Sequence, residues 1–289
     1  MKALPIFKTA VSQFFDHQVL RLSAALAFYS VFSIGPLLII AISLSGMVFG
    51  PEAVRGQLEY QLNDWMGERS AEVVQDLIAS ATRSSDSLIM SFVGFGTMIL
   101  GATGVFGQLK DSLNSIWEVE QPAGKALLKI LKTRLFSFSL VLGIGFLLLV
   151  SMVLTTALEV VSGAIESAFP LAPFIWQSLN FAISFFVVTI LFAMIFRILP
   201  DVKLRWSDVW VGAGFTSLLF SIGKFGIGYY LAREATASPY GAAGAFVLVL
   251  MWVYFSSVML LFGAEFTRAW ARTRGHQIIP IRGASRITR

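Results

Sequence analysis

Residues Gly241–Ala264 read GAAGAFVLVLMWVYFSSVMLLFGA, 24 residues without a charged side chain, ending against Glu265. A bilayer core roughly 30 Å thick needs about 20 helical residues at roughly 1.5 Å of rise each. This stretch is therefore long enough to span, and buried helices of soluble proteins are rarely so long and so clean. Five more stretches qualify: Leu22–Phe49, Leu88–Gly107, Leu135–Leu158, Phe174–Phe196 and Val209–Leu231, of which only the last holds a charge, Lys224. The composition agrees with lipid as the main solvent. Of 289 residues 56% are hydrophobic and 13% charged, with a mean hydropathy of +0.75, too apolar for a domain solvated on all sides. No short apolar region with a small-residue cleavage site precedes Arg21, so the first span is expected to remain in the mature protein.

Charge between the stretches orients them, because Lys and Arg gather on the cytoplasmic side. With the N-terminus inside, 17 of the 22 Lys and Arg fall in cytoplasmic segments. The segment Gly50–Ser87 holds seven Asp and Glu against three Arg, which suits the outer side. The expectation is an all-α, polytopic membrane helical bundle of six transmembrane helices with both termini cytoplasmic. Its parts are a cytoplasmic interfacial helix (1–21), the six-span domain (22–267) with an outer loop (50–87), and a basic cytoplasmic tail (268–289).

Outside the spans, Phe7, Val11, Phe14 and Phe15 recur at helical spacing, as in an amphipathic helix lying in the inner interface. After the second span Leu109, Leu113, Ile116 and Trp117 make an apolar face, and Lys110, Asp111 and Asn114 a polar one. Both read as interfacial packing elements. In the outer loop Val54, Leu58, Leu62 and Trp65, then Ala71, Val74, Leu77, Ile78 and Ala81, outline two amphipathic helices breaking near Gly67, with Ser70 as an N-cap. They form either a passive cap or a lid.

Catalytic chemistry finds little footing. Cysteine is absent, which excludes thiolate nucleophiles, disulfides and Cys-ligated metals. The phosphate-binding, zinc-protease and serine-hydrolase motifs are missing. His17 and His276 sit near opposite ends of the sequence without metal-ligand companions at usable spacing. No enzyme activity, cofactor or metal is expected.

Polar or conformationally special residues within the spans are the remaining candidates, since each needs a partner in lipid. Pro36 interrupts the first span by removing a backbone donor and displacing the carbonyl of Phe32. Ser23, Ala27 and Ser30 line one face below it, and Tyr29 and Ser33 bring hydroxyls towards the midplane. A substrate pathway and simple helix packing both fit. The sixth span opens on Tyr240, Gly241 and Gly244, which allow close helix approach. Glu265 lies at the inner boundary, at the depth of Arg21, and the two are expected to form an ion pair. Lys224 lies near the outer interface, where it either snorkels or meets an anion or lipid headgroup. Asn180 reads as an interhelical hydrogen-bond donor.

These residues stand in a recognisable order. Ala24-Ala25-Leu26-Ala27-Phe28-Tyr29 leads to Pro36-Leu37-Leu38. Gly101-Ala102-Thr103-Gly104 precedes Leu113-Asn114-Ser115-Ile116-Trp117. Leu199-Pro200-Asp201 precedes Gly212-Ala213, and Tyr240-Gly241-Ala242 leads through Trp252-Val253-Tyr254 to Leu261-Phe262-Gly263-Ala264-Glu265. The chain thereby resembles the YihY/BrkB family of bacterial inner-membrane proteins, once labelled ribonuclease BN. The resemblance runs from Arg21 to Thr267 and leaves out the outer loop and the tail after Arg268. It implies a six-span inner-membrane protein of undefined activity, linked in some members to serum resistance and envelope lipid biology. The ribonuclease label finds no support, because RNA cleavage needs metal-binding groups or a general acid/base pair at one site.

Transport or translocation of a lipid or small solute is the first functional reading; a noncatalytic scaffold or regulator binding partners through its interfacial helices and tail is the alternative. Expected partners are membrane lipids, anionic inner-leaflet lipid at the basic tail among them. A homo-oligomer is compatible with the sequence, and nucleic acid is not an expected partner.

Overall fold

The computed structural model describes residues 3–33, 50, 104–120, 172–237, 241–276, 278–281 and 284–286, with isolated helical positions between 56 and 76. Among these, α1 is Ala3–Asp16 and α2 is Val19–Ser33. Helix α3 covers 104–116 and β1 is Val119–Glu120. Then come α4 (Ala172–Ile198), β2 (Val202–Lys203), α5 (Trp206–Ala237), α6 (Gly241–Thr273), β3 (Ile279–Pro280) and β4 (Ser285–Arg286).

Among the described residues three helices contain segments long and apolar enough to cross a bilayer: Phe181–Ile198, Trp206–Ile227 and Phe246–Thr273. They coincide with the fourth, fifth and sixth apolar stretches. Large apolar side chains such as Phe181, Phe186, Leu218, Ile222 and Phe225 point outward, as they do where lipid replaces water. Helix α2 is the start of the first stretch; the third stretch and most of the second lie outside the described residues.

Helices α5 and α6 run antiparallel and touch closely. A methyl group at Gly212 would overlap the Thr267 side chain, and one at Gly263 would overlap Thr216. Each threonine is four residues from the glycine on its own helix, and its hydroxyl donates to that glycine's carbonyl, Thr216 to Gly212 at 2.7 Å and Thr267 to Gly263 at 2.7 Å. Facing Gly-x-x-x-Thr segments thus bring two backbones together without leaving a hydroxyl unsatisfied. Further along, Gly223 leaves room for Met259 in the same way.

A central core joins Val19 and Leu26 of α2, Leu113 and Ile116 of α3, Phe196 of α4, Val209 of α5 and Leu261 and Ala264 of α6. Towards the other end of α6, Leu248, Val249 and Trp252 pack with Val31 and with Leu62, Ala71 and Val74 of the segment expected outside. Leu62, Ala71 and Val74 are positions its periodicity singled out, whereas Val54, Trp65, Gly67, Ser70, Leu77, Ile78 and Ala81 lie outside the described residues. Helix α1 packs on α6 through Ile6, Ala10 and Ala269, and Phe7 and Phe14 place their rings 5.9 and 5.7 Å from that of Phe262. Its buried face is therefore centred on Ile6 and Ala10, about one residue round from the expected Phe7–Val11 face, while Leu4 and Phe15 are exposed.

Two departures from an all-helical, free-tailed chain concern the C-terminal stretch. Helix α6 runs on through Arg268 and Arg272 to Thr273, so the first residues assigned to the tail are helical. It ends at Gly275, whose φ of +72° is a left-handed conformation glycine adopts without strain. There His276 N donates to Ala271 O at 3.1 Å and Gly275 N to Arg272 O at 2.9 Å, the paired capping bonds of a Schellman turn. Beyond Gly275 the described residues include two short strands. Antiparallel pairing sets β3 on β2, with Val202 opposite Pro280, and β4 on β1, with Val119 opposite Arg286. The extended backbone finds its hydrogen bonds in two loops of the same chain, which a free tail would have to seek in water.

Candidate functional site

One end of the bundle gathers the charged groups. Glu265, Arg268 and Arg272 succeed one another at three- and four-residue steps along α6, so they share a face. That face meets the corner between α1 and α2, where Gln18 turns the chain at φ +52°, and the end of α3, where Glu118 does so at φ +54°. Left-handed conformations are uncommon for residues with a Cβ and cost about 1–3 kcal/mol each. Both strained positions adjoin or belong to the same ionic cluster.

At its centre is His17. Its Nδ1 lies 2.6 Å from Glu265 Oε1, while Nε2 lies 3.2 Å from Arg268 Nη1 and 3.5 Å from Glu118 Oε1. A guanidinium only donates, so Nε2 accepts from Arg268 and the imidazole proton sits on Nδ1, donated to Glu265. Arg268 Nη2 approaches Glu118 Oε1 at 2.5 Å, and Arg272 Nη2 donates to Glu118 Oε2 at 3.0 Å. Two carboxylates and two guanidiniums around a neutral imidazole balance in charge, which is what allows Glu265 and Arg268 to be fully buried. Burial by itself would raise the Glu118 carboxyl. The bonds and charges of Arg268 and Arg272 outweigh it and hold the group below the ordinary carboxylate range. The second Glu265 oxygen, Oε2, has no hydrogen-bond partner among the described residues.

Two further clusters flank this one. Asn114 Nδ2 donates to Asp201 Oδ2 at 2.9 Å, Asp201 N donates back to Asn114 Oδ1 at 2.8 Å, and Lys110 Nζ lies 3.0 Å from Asp201 Oδ1. The polar side expected of α3 is thus a binding edge for the α4–α5 loop, and Asn114 is buried. At the head of the tail, His276 Nδ1 lies 2.7 Å from Asp208 Oδ2 and Nε2 2.8 Å from Arg205 Nη1. Asp208 stands in the first turn of α5, where the helix dipole favours an anion.

The expected Arg21–Glu265 pair is not what the structure shows. Glu265 takes His17 as its partner, and the Arg21 side chain is exposed. Shared depth alone could not specify the pairing: the α1–α2 corner turns His17 towards α6 and leaves Arg21 on the outer side of α2. Ser33 is buried and its hydroxyl donates to Tyr29 O at 2.7 Å. Tyr29 lies half exposed, its ring against Gly104 of α3. Lys224 is partly exposed on α5. Gly241 and Gly244 belong to the first turns of α6, while Pro36 and Tyr240 and the side chain of Asn180 lie outside the described residues. The structure brings together His17, Glu118 and Arg268, which were not singled out as a site. The spacing of Glu265, Arg268 and Arg272 was the one available signal.

Motifs far apart in sequence meet here: Asn114 of Leu-Asn-Ser-Ile-Trp holds Asp201 of Leu-Pro-Asp, and Gly212 faces Thr267, two residues past the stretch ending in Glu265. The family model described as Virulence factor BrkB matches residues 10–284. The chain belongs to the BrkB family. This BrkB-family chain is 27% identical to a UPF0761 membrane protein of Verminephrobacter eiseniae, covering 87% of this chain and 58% of that one. A UPF0761 membrane protein of Rhodospirillum centenum is 26% identical over 96% and 60% of the two chains. One of Tolumonas auensis is 28% identical over 85% and 78%. The BrkB-family chain therefore spans about three fifths of the length of the first two relatives. No solved structure matches it.

Proposed function

We propose that this chain is a six-span protein of the bacterial inner membrane, both termini in the cytoplasm, that transports or translocates a lipid or small solute without catalytic chemistry of its own. The observation that carries this reading is the sealed ionic cluster on α6. Glu265 and Arg268 are fully buried in a helix segment long and apolar enough to span. Ionisable residues inside such segments are costly, and they mark substrate or ion pathways. The scaffold reading relies on the tail and the interfacial helix as free binding surfaces. It is less well supported, because β3 and β4 are paired with β2 and β1 and α1 packs on α6. Membrane lipids are the proposed partners, anionic ones against the basic inner end. A homo-oligomer fits the same reading.

Two experiments test it. Reporter fusions at Gln121 and after Arg289 should read cytoplasmic, and one at Asn63 external; a cytoplasmic Asn63 would overturn the six-span arrangement. The purified chain in proteoliposomes should accelerate movement of a head-group-labelled phospholipid between leaflets, or uptake of a solute from a panel. Protein that is folded and correctly inserted but moves none of these would leave the scaffold reading in place.

A further inference from the structure

We propose that Glu265 is a proton-binding site loaded through His17 from the side of Glu118, so that the coupling ion of this protein is the proton. The naming of a coupling ion rests on the transport reading; the proton site itself does not. Three observations point to it. His17 stands between two carboxylates, with Nδ1 2.6 Å from Glu265 and Nε2 3.5 Å from Glu118. Access falls steadily along this line, since the Glu118 side chain is 32% exposed, that of His17 3% and that of Glu265 0%. Glu265 Oε1 has a bond suited to proton exchange while Oε2 is unpartnered among the described residues.

An imidazole can take a proton at one ring nitrogen and release another from the opposite one. The O–H bond of a protonated Glu118, or of hydronium beside it, breaks as an N–H bond forms at His17 Nε2. The imidazolium then releases its Nδ1 proton to Glu265 Oε1. The products are a neutral Glu265 carboxylic acid and a neutral His17 carrying its proton on Nε2; one proton has moved inward and nothing is oxidised or reduced. Arg268 gates the first step. Its Nη1 occupies the Nε2 lone pair at 3.2 Å, and it must withdraw before that nitrogen can become a donor. Among the described residues the titratable and charged groups around Glu265 are His17 from the α1–α2 corner, Glu118 from the end of α3, and Arg268 with Arg272 beyond it on α6. Helix α5 meets this part of α6 through Gly212 and Thr216, which carry no charge.

The test is infrared difference spectroscopy of the full chain in lipid nanodiscs after a rapid drop in pH. A protonated-carboxyl carbonyl band should appear, shift in heavy water and vanish in Glu265→Gln. The glutamine keeps an oxygen for the His17 N–H, so that variant should fold. The band should rise at least tenfold more slowly in His17→Gln. Glu118→Gln, changed at the exposed end, should slow it as well and serves where the His17 variant does not fold. A band that persists in Glu265→Gln, or one that rises at the wild-type rate in both relay variants, overturns the proposal. A normal band with no proton-dependent transport would uphold the site and count against the transport reading alone.

Discussion

Both histidines of this chain sit in the same three-part arrangement, and their surroundings differ. His17 donates from Nδ1 to Glu265 and accepts at Nε2 from Arg268; His276 donates to Asp208 and accepts from Arg205. The first set is sealed between α1, α2 and α6, with Arg268 fully buried. In the second the His276 side chain is 23% exposed and Arg205 is exposed. Hydrogen bonds of equal quality thus have unequal consequences. At the second clamp water can take the place of Arg205, although Asp208 is as buried there as Glu265 is in the first; at the first clamp the guanidinium is buried as well, so its removal strands charge where water cannot reach it.

The largest effect should come from Arg268→Met. It leaves two carboxylates facing His17 with a single guanidinium, and breaking a buried pair in this way costs about 3–5 kcal/mol. Thermal unfolding in detergent should show it, while Arg205→Met at the exposed clamp should stay within about 1 kcal/mol of wild type. An equal loss in the two variants would erase the distinction between the clamps.

Next in size, His17→Ala should destabilise by about 2–3 kcal/mol and His276→Ala by about 1–2 kcal/mol, since the latter strands the buried Asp208 alone. The double replacement His17→Ala with Glu265→Ala should cost less than the sum of the singles, because the second change no longer strands a partner. Arg21→Ala combined with Glu265→Ala should be additive; a coupling there as large as that of His17 would restore the pairing by depth.

Smaller again is the response of the tail. His276→Ala removes the clamp that holds the chain where it leaves α6, so limited proteolysis should cut after Gly275 several-fold faster while the helices stay intact. An unchanged cutting rate would show that the pairing of β3 and β4 holds this stretch alone.

The smallest effect concerns pH. The Glu118 carboxyl is held below its ordinary range, so its contribution is fully present above the unfolded-state value and is lost as pH falls through the folded one. Stability should decline on acidification below about pH 4.5, the unperturbed value, and Glu118→Gln should flatten that decline. An identical acid limb in the variant would show that Glu118 does not contribute to it.

Hydropathy made α4, α5 and α6 legible, since unbroken apolar stretches in lipid have few alternatives to a helix. The apolar face of α3 was legible for a similar reason: Leu109, Leu113, Ile116 and Trp117 keep helical spacing and are all buried. The site was not. His17 and Glu265 are 248 residues apart, and no local pattern announces such a partnership. Depth in the membrane made Arg21 and His17 nearly equivalent, and only the left-handed turn at Gln18 decides between them. The strands of the C-terminal stretch were not legible for a different reason: two-residue strands leave almost no signature in sequence.

The facing segments Gly212-x-x-x-Thr216 and Gly263-x-x-x-Thr267 act mechanically as two meshed teeth. Sliding α5 along α6 by a single residue, about 1.5 Å, would lift both threonines out of their glycine notches and onto neighbouring side chains. Axial slip is therefore stepped rather than continuous, and rotation of one helix against the other meets the same obstruction. Axial movement of either helix carries α5 and α6 together as one lever, with displacement taken up where no such gearing is present. The ionic cluster on α6 would ride on that lever, so that a change in its charge is felt along the whole pair.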